Sequence, residues 1–191
     1  LHLQASGTFN NAGDIALTGT KLDADVDIAN SNVQMNLAVP AMLGMTAEII
    51  VVGDTSYTKT SFTGEKFQKG NASSSGVPTD PEQSLKDLQE WLTKPEVGPK
   101  KLDDKSCGSK SCYQIEIDLS AEDLTALIPE AQQIGEGSVV LTILVEKDTL
   151  RLASATVTFK AAELGELTLT LTMSKWDEAV KIEAPPADQV E

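Results

Sequence analysis

The segment "LTLTLTMSKWDEAVKIEAPP", residues 167–186, carries the clearest structural signal in the chain. Its first half alternates large apolar residues with threonine, and this period of two is typical of a β-strand with one apolar and one polar face. The segment then becomes charged around Trp176 and ends on two prolines. Only 4% of the 191 residues are aromatic, so aliphatic side chains must form most of the core. This combination suggests that the aliphatic face lines a space that another molecule fills.

The length and charge of the chain exclude several classes of protein. A chain of this size can form one large domain that buries roughly 70% of its unfolded surface without a metal or disulfide framework. The net charge is −14, and Arg151 is the one arginine among 15 basic residues. Because binding to a nucleic-acid backbone calls for clustered Lys and Arg, we expect no nucleic-acid partner. The longest apolar run, residues 139–145, has the length of a strand and not that of a membrane span.

Alternating apolar residues recur through most of the chain. They predict antiparallel strands up to about residue 67, two strands on either side of residue 110, and further strands from residue 137 onward, ending with a short strand at 180–182. Strand–helix alternation, which would indicate a parallel sheet, is missing. Turn residues separate the predicted strands at 30–32, 53–54 and 147–148.

Two short helices interrupt the predicted strands. Residues 80–83 combine a capping Asp with Pro and Gln, and residues 120–123 begin a second amphipathic segment. Residues 68–80 are small and polar, which predicts a mobile loop. Together with the helix at 81–93, we expect this loop to form a movable cover. The predicted fold class is α+β, with one large twisted antiparallel sheet and short helices on its concave face.

The two cysteines, Cys107 and Cys112, frame the sequence "CGSKSC". Two thiols and one remote histidine do not complete a tetrahedral metal site, and a redox motif would more usually be C-x-x-C in a βαβ unit. A disulfide that closes a Gly/Ser turn fits best, with two free thiols as the alternative. Such a disulfide indicates an oxidising, extracytoplasmic compartment.

Catalytic and metal-binding residues are hard to assemble from this sequence. His2 is the one histidine, and neither a G-x-S-x-G motif nor a phosphate-binding glycine loop is present. Asp23, Asp25 and Asp27 have the opening spacing of a calcium loop, but the glycine and glutamate that the motif requires later are missing. We therefore expect a solvated acidic strand face, no catalytic residue, no metal and no cofactor.

Five lysines lie close together on this acidic chain, at Lys94, Lys100, Lys101, Lys105 and Lys110. One interpretation is that they contact lipid phosphates or anionic headgroups. The other, which we favour, is that they keep the tip of a hairpin soluble.

The apolar face of residues 167–173 is expected to continue onto neighbouring strands. Two short helices of about 20 Å each are too small to seal a sheet of eight or more strands. Such a sheet can curl and leave an apolar cavity. The alternative is that the apolar face of the sheet packs directly on the two helices and leaves no cavity. The predicted cavity-lining residues are Met35, Leu37, Leu85, Leu88, Leu124, Leu127, Leu141, Ile143, Val157, Phe159, Leu167, Leu169, Leu171 and Met173.

Three segments resemble one family of bacterial proteins. "LTLTMSKWDEAVKIEAPP" resembles the closing segment of the mycobacterial-type LppX/LprG/LprA/LprF lipoproteins, and the first strand with Gly7 resembles theirs. "IDLSAEDLTALIP", residues 117–129, resembles the passage from strand to helix in that family. The resemblance covers nearly the whole chain in order. The cysteine turn is not typical of the mycobacterial members, and the helix and lipidated cysteine expected before the first strand are not in this sequence.

The resemblance implies a half-barrel that holds multi-acyl lipids or glycolipids and carries them within the cell envelope. We expect residues 1–184 to form one lipid-binding domain, and we expect the protein to be a monomer. The sequence "PPADQVE", residues 185–191, predicts a frayed C-terminal tail. The resemblance also implies an extracytoplasmic protein on the cell membrane, facing the periplasm or the exterior, with a lipid anchor upstream of residue 1. Two alternatives remain open: an envelope interaction domain without lipid cargo, and a carrier for acylated proteins.

Overall fold

The structure is a computed structural model that describes residues 2–10, 19–75, 83, 86, 90, 98–119, 137–161 and 165–191. Within these residues the chain forms twelve β-strands and two short 3₁₀ helices, at Ala72–Ser74 and Ala187–Gln189. The strands are β1 His2–Asn10, β2 Thr20–Asp27, β3 Asn32–Val39, β4 Met45–Val52, β5 Thr55–Thr60, β6 Gln68–Asn71, β7 Lys100–Lys101, β8 Lys105–Cys107, β9 Lys110–Leu119, β10 Gly137–Glu146, β11 Leu152–Ala161 and β12 Gly165–Ser174.

The strands form one sheet with the order β6-β5-β4-β3-β2-β1-β12-β11-β10-β9-β7, and β8 also pairs with β9. Pairing is antiparallel from β2 to β6 and from β7 to β12. The predicted turns join β2 to β3, β4 to β5 and β10 to β11. Gly53 has φ +57°, a left-handed conformation that glycine adopts without strain in a two-residue hairpin turn. The prediction of a large antiparallel sheet is confirmed.

The predicted helical cover of the sheet is not supported. Gln83, Lys86 and Glu90 are helical and exposed, and the other residues of the predicted helix at 81–93 lie outside the described part of the chain. The second predicted helix, which begins at residue 120, also lies outside it. The described residues are therefore mainly β-strand, with few helical residues.

Residues 68–75 differ from the predicted mobile loop. Gln68–Asn71 forms β6, which pairs with β5, and a 3₁₀ helix follows. Asn71 caps this helix, because its side-chain oxygen accepts hydrogen bonds from the backbone N–H and the hydroxyl of Ser73, both at 3.1 Å. Ala72 is 2% exposed and packs with Val33 and Val51. The small side chains of this segment permit this close packing. The prediction of a mobile loop was therefore wrong for residues 68–75. Residues 76–80 lie outside the described part of the chain.

Contacts divide the chain into two compact units. Unit 1 comprises Leu1–Ala5, Gly19–Gln89 and Met173–Glu191, and unit 2 comprises Ser6–Thr18 and Glu90–Thr172. In unit 1 the neighbouring residues Ile50 and Val51 of β4 point to opposite sides of the sheet, and both are buried. Unit 1 therefore has an apolar cluster on each face.

The C-terminal segment forms one of these clusters. Ile182 is buried against Ile50 and Phe67, and Val190 packs against the same group. The backbone N–H of Phe67 donates to the Gln189 carbonyl, and the N–H of residue 191 donates to the Phe67 carbonyl, both at 2.8 Å. Residues 185–191, which the sequence predicts to be a frayed tail, are joined to Phe67 by these two backbone hydrogen bonds. Residues 180–182 do not form the predicted strand.

Candidate functional site: an apolar face of unit 2

A row of four aliphatic residues crosses the sheet of unit 2 from β9 to β12. Ile117 pairs with Leu141, Leu141 with Val157, and Val157 with Leu169, so the four side chains share one face. Parallel rows on the same face continue this pattern through Leu119–Val139–Phe159–Leu167 and Ile115–Ile143–Ala155–Leu171. The register between β10 and β11, which the sequence left open, therefore aligns the apolar residues.

Exposure rises along this row from β9 to β12. Ile117 is 0% exposed, Leu141 and Val157 are half-buried, and Leu169 is 37% exposed. A large aliphatic side chain in the middle of a ten-residue strand is thus only partly covered. The face is packed at its β9 side and open at its β12 side.

The opposite face of β11 and β12 carries mainly polar residues, whereas β10 also places Val140 and Leu144 there. Thr142 pairs with Thr156, and Thr156 with Thr170, so these threonines form a row directly behind the apolar one. The hydroxyls of Thr156 and Thr170 are 3.2 Å apart, within hydrogen-bond distance. The two faces of β12 therefore differ in chemistry, as its alternating sequence predicts.

The predicted cavity residues fall into three groups. Four of them, Leu85, Leu88, Leu124 and Leu127, lie outside the described residues. Met35 and Leu37 lie on β3 in unit 1, where Met35 packs against the Val33–Val51 cluster. The others lie at alternating positions of β10–β12 and are Leu141, Ile143, Val157, Phe159, Leu167, Leu169, Leu171 and Met173, of which Met173 belongs to unit 1. Phe159 belongs to a packed cluster with Ile117, Leu119 and Val139.

A second concave region, which the sequence did not reveal, is a groove of about 530 Å³ in unit 1. Leu37 lines it together with polar residues of β2–β5. Across its floor Lys59 forms a 2.8 Å ion pair with Glu48. The Lys59 ammonium also lies 4.4 Å from the centroid of the Phe67 ring, a cation–π distance. This groove is mixed in charge and does not resemble an acyl-chain site.

The predicted disulfide is confirmed. Cys107 and Cys112 are bonded across the turn between β8 and β9, with their Cα atoms 6.0 Å apart. Cys107 is the last residue of β8, and Cys112 is the third residue of β9, where it pairs with Lys105. The bond therefore runs diagonally across a hairpin that the backbone hydrogen bonds already align.

Most of the predicted lysine cluster is engaged by carboxylates. Lys100 lies 2.5 Å from Asp118, and Lys110 lies 2.6 Å from Glu146. Hydrogen bonding to Asp118 raises the pKa of Lys100, and hydrogen bonding from Lys110 lowers the pKa of Glu146. These pairs favour the interpretation of a solubilising hairpin over that of a headgroup site.

Asp104 extends this network to the turn between β10 and β11. It forms ion pairs with Lys101, at 3.4 Å, and with Lys147. The hydrogen bond from Lys147 lowers the pKa of the Asp104 carboxyl. The ammonium groups of Lys101 and Lys147 also lie 5.4 and 5.2 Å from the Tyr113 ring centroid.

The acidic strand β2 carries no metal-binding arrangement that we can identify. Among the residues that the structure describes, no group of three or more His, Cys, Asp or Glu side chains could hold an ion. Asp27 instead accepts hydrogen bonds from the backbone and side-chain N–H groups of Asn30, and the side-chain bond lowers its pKa. Nor does the described part of the chain contain a helix that could cross a membrane.

Two crystal structures from mycobacteria have a similar fold. The lipoprotein LppX of Mycobacterium tuberculosis matches with a TM-score of 0.56 and 18% identity, over 95% of this chain and 88% of LppX. LprF from Mycobacterium bovis matches with a TM-score of 0.58 and 18% identity, over 96% of this chain and 89% of LprF. Similarity at this level of identity establishes the fold alone.

Comparison of the sequence with known proteins and families shows which family the chain is related to. A search of curated proteins gives no match. The family model described as "LppX_LprAFG lipoprotein" matches residues 7–182, which is most of the chain. The predicted resemblance to this family is thereby confirmed, and the chain belongs to the LppX_LprAFG lipoprotein family.

Proposed function

We propose that the protein is a non-catalytic carrier of multi-acyl lipids or glycolipids in the bacterial cell envelope. In this proposal the acyl chains lie against the apolar face of β10–β12 within a half-barrel, and the protein is held at the outer side of the cell membrane by a lipid anchor. The observation that carries the proposal is the exposure of Leu169, at 37%, at the end of an aliphatic row that is fully buried only at Ile117. Membership of a lipoprotein family supports it.

The row favours an acyl chain over a compact ligand because its side chains are aliphatic and offer few directional contacts. Leu141, Val157 and Leu169 provide a smooth surface about three strands wide. Adjacent strands lie roughly 4.8 Å apart, so this width is about 10 Å and accommodates two chains side by side. Ile143 and Leu171, both half-buried in the neighbouring row, lengthen the surface along the strand direction.

The energetics suit a carrier. Two acyl chains carry about 30 methylene groups, and their gross transfer from water is worth on the order of 20 kcal/mol. In the cell these chains start in a bilayer, which already shields them from water, so the net free energy of transfer to the protein is much smaller. An aliphatic surface that does not demand one ligand shape can therefore accept and release such lipids. The scarcity of aromatic residues, 4% of the chain, fits this requirement.

Native mass spectrometry of protein purified from a lipid-containing host tests the proposal. We expect a mass shift that disappears after solvent extraction, and a recovered lipid with two or more acyl chains. A fluorescent acyl probe should then bind to the extracted protein. A chain that carries no lipid and does not bind the probe would contradict the proposal and favour an envelope interaction domain. Recovery of an acylated peptide instead would identify a carrier for acylated proteins.

A further inference from the structure

Two loops of unit 1 meet at the same end of its sheet. The turn between β3 and β4 covers residues 40–44, and the loop between β5 and β6 begins at residue 61. The backbone N–H of Ser61 donates to the Thr46 carbonyl at 2.9 Å, and the Thr46 N–H donates to the Ser61 hydroxyl at 3.2 Å. The two loops are therefore tied side by side.

The tips of these loops expose large apolar side chains. Leu43 is 94% exposed, Phe62 is 64% exposed and Met42 is 50% exposed. We call these three residues the loop patch. Residues 40–44 and 61–64 contain no charged residue, although 23% of the whole chain is charged. Single exposed apolar residues are common on protein surfaces, but three at the adjoining tips of two loops point to an interaction site. The charged residues of the second loop, Glu65 and Lys66, follow its tip.

The fold does not require an aliphatic side chain at the tip. Leu43 has φ 55°, in the left-handed region that glycine and asparagine adopt far more readily than leucine. The turn is closed by backbone hydrogen bonds from Met42 to Val39, at 3.1 Å, and from Gly44 to Pro40, at 3.0 Å. Its conformation therefore depends on the backbone, and the leucine side chain contributes little to its packing.

We propose that the loop patch inserts into the interfacial layer of a lipid bilayer and docks the protein on the membrane surface. Leucine, methionine and phenylalanine are the side chains that partition into this layer. A chain with a net charge of −14 is repelled by anionic lipids, so uncharged tips are the part of unit 1 best suited to approach a bilayer. Lipoproteins reside at membranes, which makes a bilayer the nearest partner for such a surface. The patch is separate in sequence from the apolar face of β10–β12, so this inference does not rest on the proposed cargo.

Flotation with phosphatidylcholine vesicles tests the docking surface. We expect the chain to float with the vesicles, equally at low and high salt, because apolar insertion is not screened by salt. The variants Leu43→Asn and Phe62→Ser should each reduce the partition coefficient about tenfold. Asparagine is compatible with a left-handed backbone, so Leu43→Asn should fold normally.

Leu150 provides a matched control. It also has a left-handed backbone, with φ 56°, and is 71% exposed at the tip of the turn between β10 and β11. Leu150→Asn should leave flotation unchanged. Absence of flotation of the parent chain, or an equal loss for Leu43→Asn and Leu150→Asn, would overturn the proposal.

A second measurement locates the contact. In Phe62→Trp, fluorescence should be quenched by brominated lipid, whereas Leu150→Trp should show only the quenching of the parent chain. Equal quenching of both variants would also overturn the proposal. Binding of the acyl probe is measured separately, so failure of docking and failure of lipid carriage are distinguishable.

Discussion

Substitution of Leu169 separates a ligand-binding face from a sealed core. Leu169 is 37% exposed, so truncation to Ala removes only part of the 1.5–3 kcal/mol that full burial of a leucine contributes. We expect Leu169→Ala to lower the free energy of unfolding by about 1–2 kcal/mol, because roughly two thirds of the side chain is buried. Ile117→Ala, at 0% exposure on the same row, should cost about 2–5 kcal/mol.

Enlargement of the same side chain gives the sharper contrast. In a packed core, Leu169→Trp would cost about 1–3 kcal/mol through overpacking. On a partly open face the indole occupies free volume, so we expect a loss of less than about 1 kcal/mol and a clear decrease in acyl-probe binding. Thr172→Trp is the matched control, because Thr172 is exposed on the other face of the same strand. It should bind the probe like the parent chain.

The assay is denaturant unfolding of delipidated protein, measured together with titration of the fluorescent acyl probe. Both should be made on the same preparations, so that stability and binding refer to one state. A Leu169→Trp variant that is strongly destabilised yet binds the probe normally would refute the assignment of this face to lipid.

Three further predictions concern the other described features. Unreduced, denatured protein should contain no titratable thiol, and replacing Cys107 and Cys112 by Ser should cost about 2 kcal/mol and leave probe binding intact. Asp104 and Glu146 have lowered pKa values, so their ion pairs, which join residues beside and within the β8–β9 hairpin to β10 and its turn, stabilise this contact above the ordinary carboxyl pKa and are lost as the pH falls through the lowered values. Amide exchange at this contact should accelerate on acidification, and neutral Asn or Gln variants should show less of this dependence. Ile182→Ala should lower the free energy of unfolding by about 2–5 kcal/mol in a thermal or denaturant melt, because Ile182 is 8% exposed. An unchanged melt would contradict the packing of the C-terminal segment.

Strand periodicity made the sheet predictable. In β12 the large apolar residues alternate with threonine, and a one-residue slip would turn all of them to the polar face. The observed pairs Leu141–Val157 and Val157–Leu169 are the consequence. The order of strands was predictable for neighbours in sequence, since hairpins need only short turns.

Strand periodicity could not predict the segments that are held in place by side-chain packing and not by strand pairing. Val180 and Ile182 alternate as in a strand, yet they are buried by contact with the sheet and not by ladder pairing. Ala72 lies in a small, polar segment typical of a loop, and it is buried because a small side chain fits closely beside Val33. The loop patch was missed because Leu43 lies in a turn, where periodicity carries no information.

The two units differ in how completely apolar residues cover the faces of their sheets. This difference indicates where a ligand binds. In unit 1, β4 buries apolar residues on both faces, with Ile50 5% and Val51 1% exposed. In unit 2, the face behind Val157 carries a row of threonines, and the apolar face is open at Leu169. A ligand that covers this face stabilises the structure by RT ln(1 + [L]/Kd), which is about 2.7 kcal/mol at a free concentration of 100 Kd.

This stabilisation should be local. We expect saturation with the acyl probe to slow hydrogen exchange in β11 and β12, since opening of these strands would expose the bound chain. Exchange in β4 should change less, because both of its faces are already covered by the protein's own residues. Equal slowing in β4 and β12 would mean that the probe acts through global stability and not through the face at Leu169. Slowing confined to β4 would place the ligand on unit 1 and contradict the proposed site.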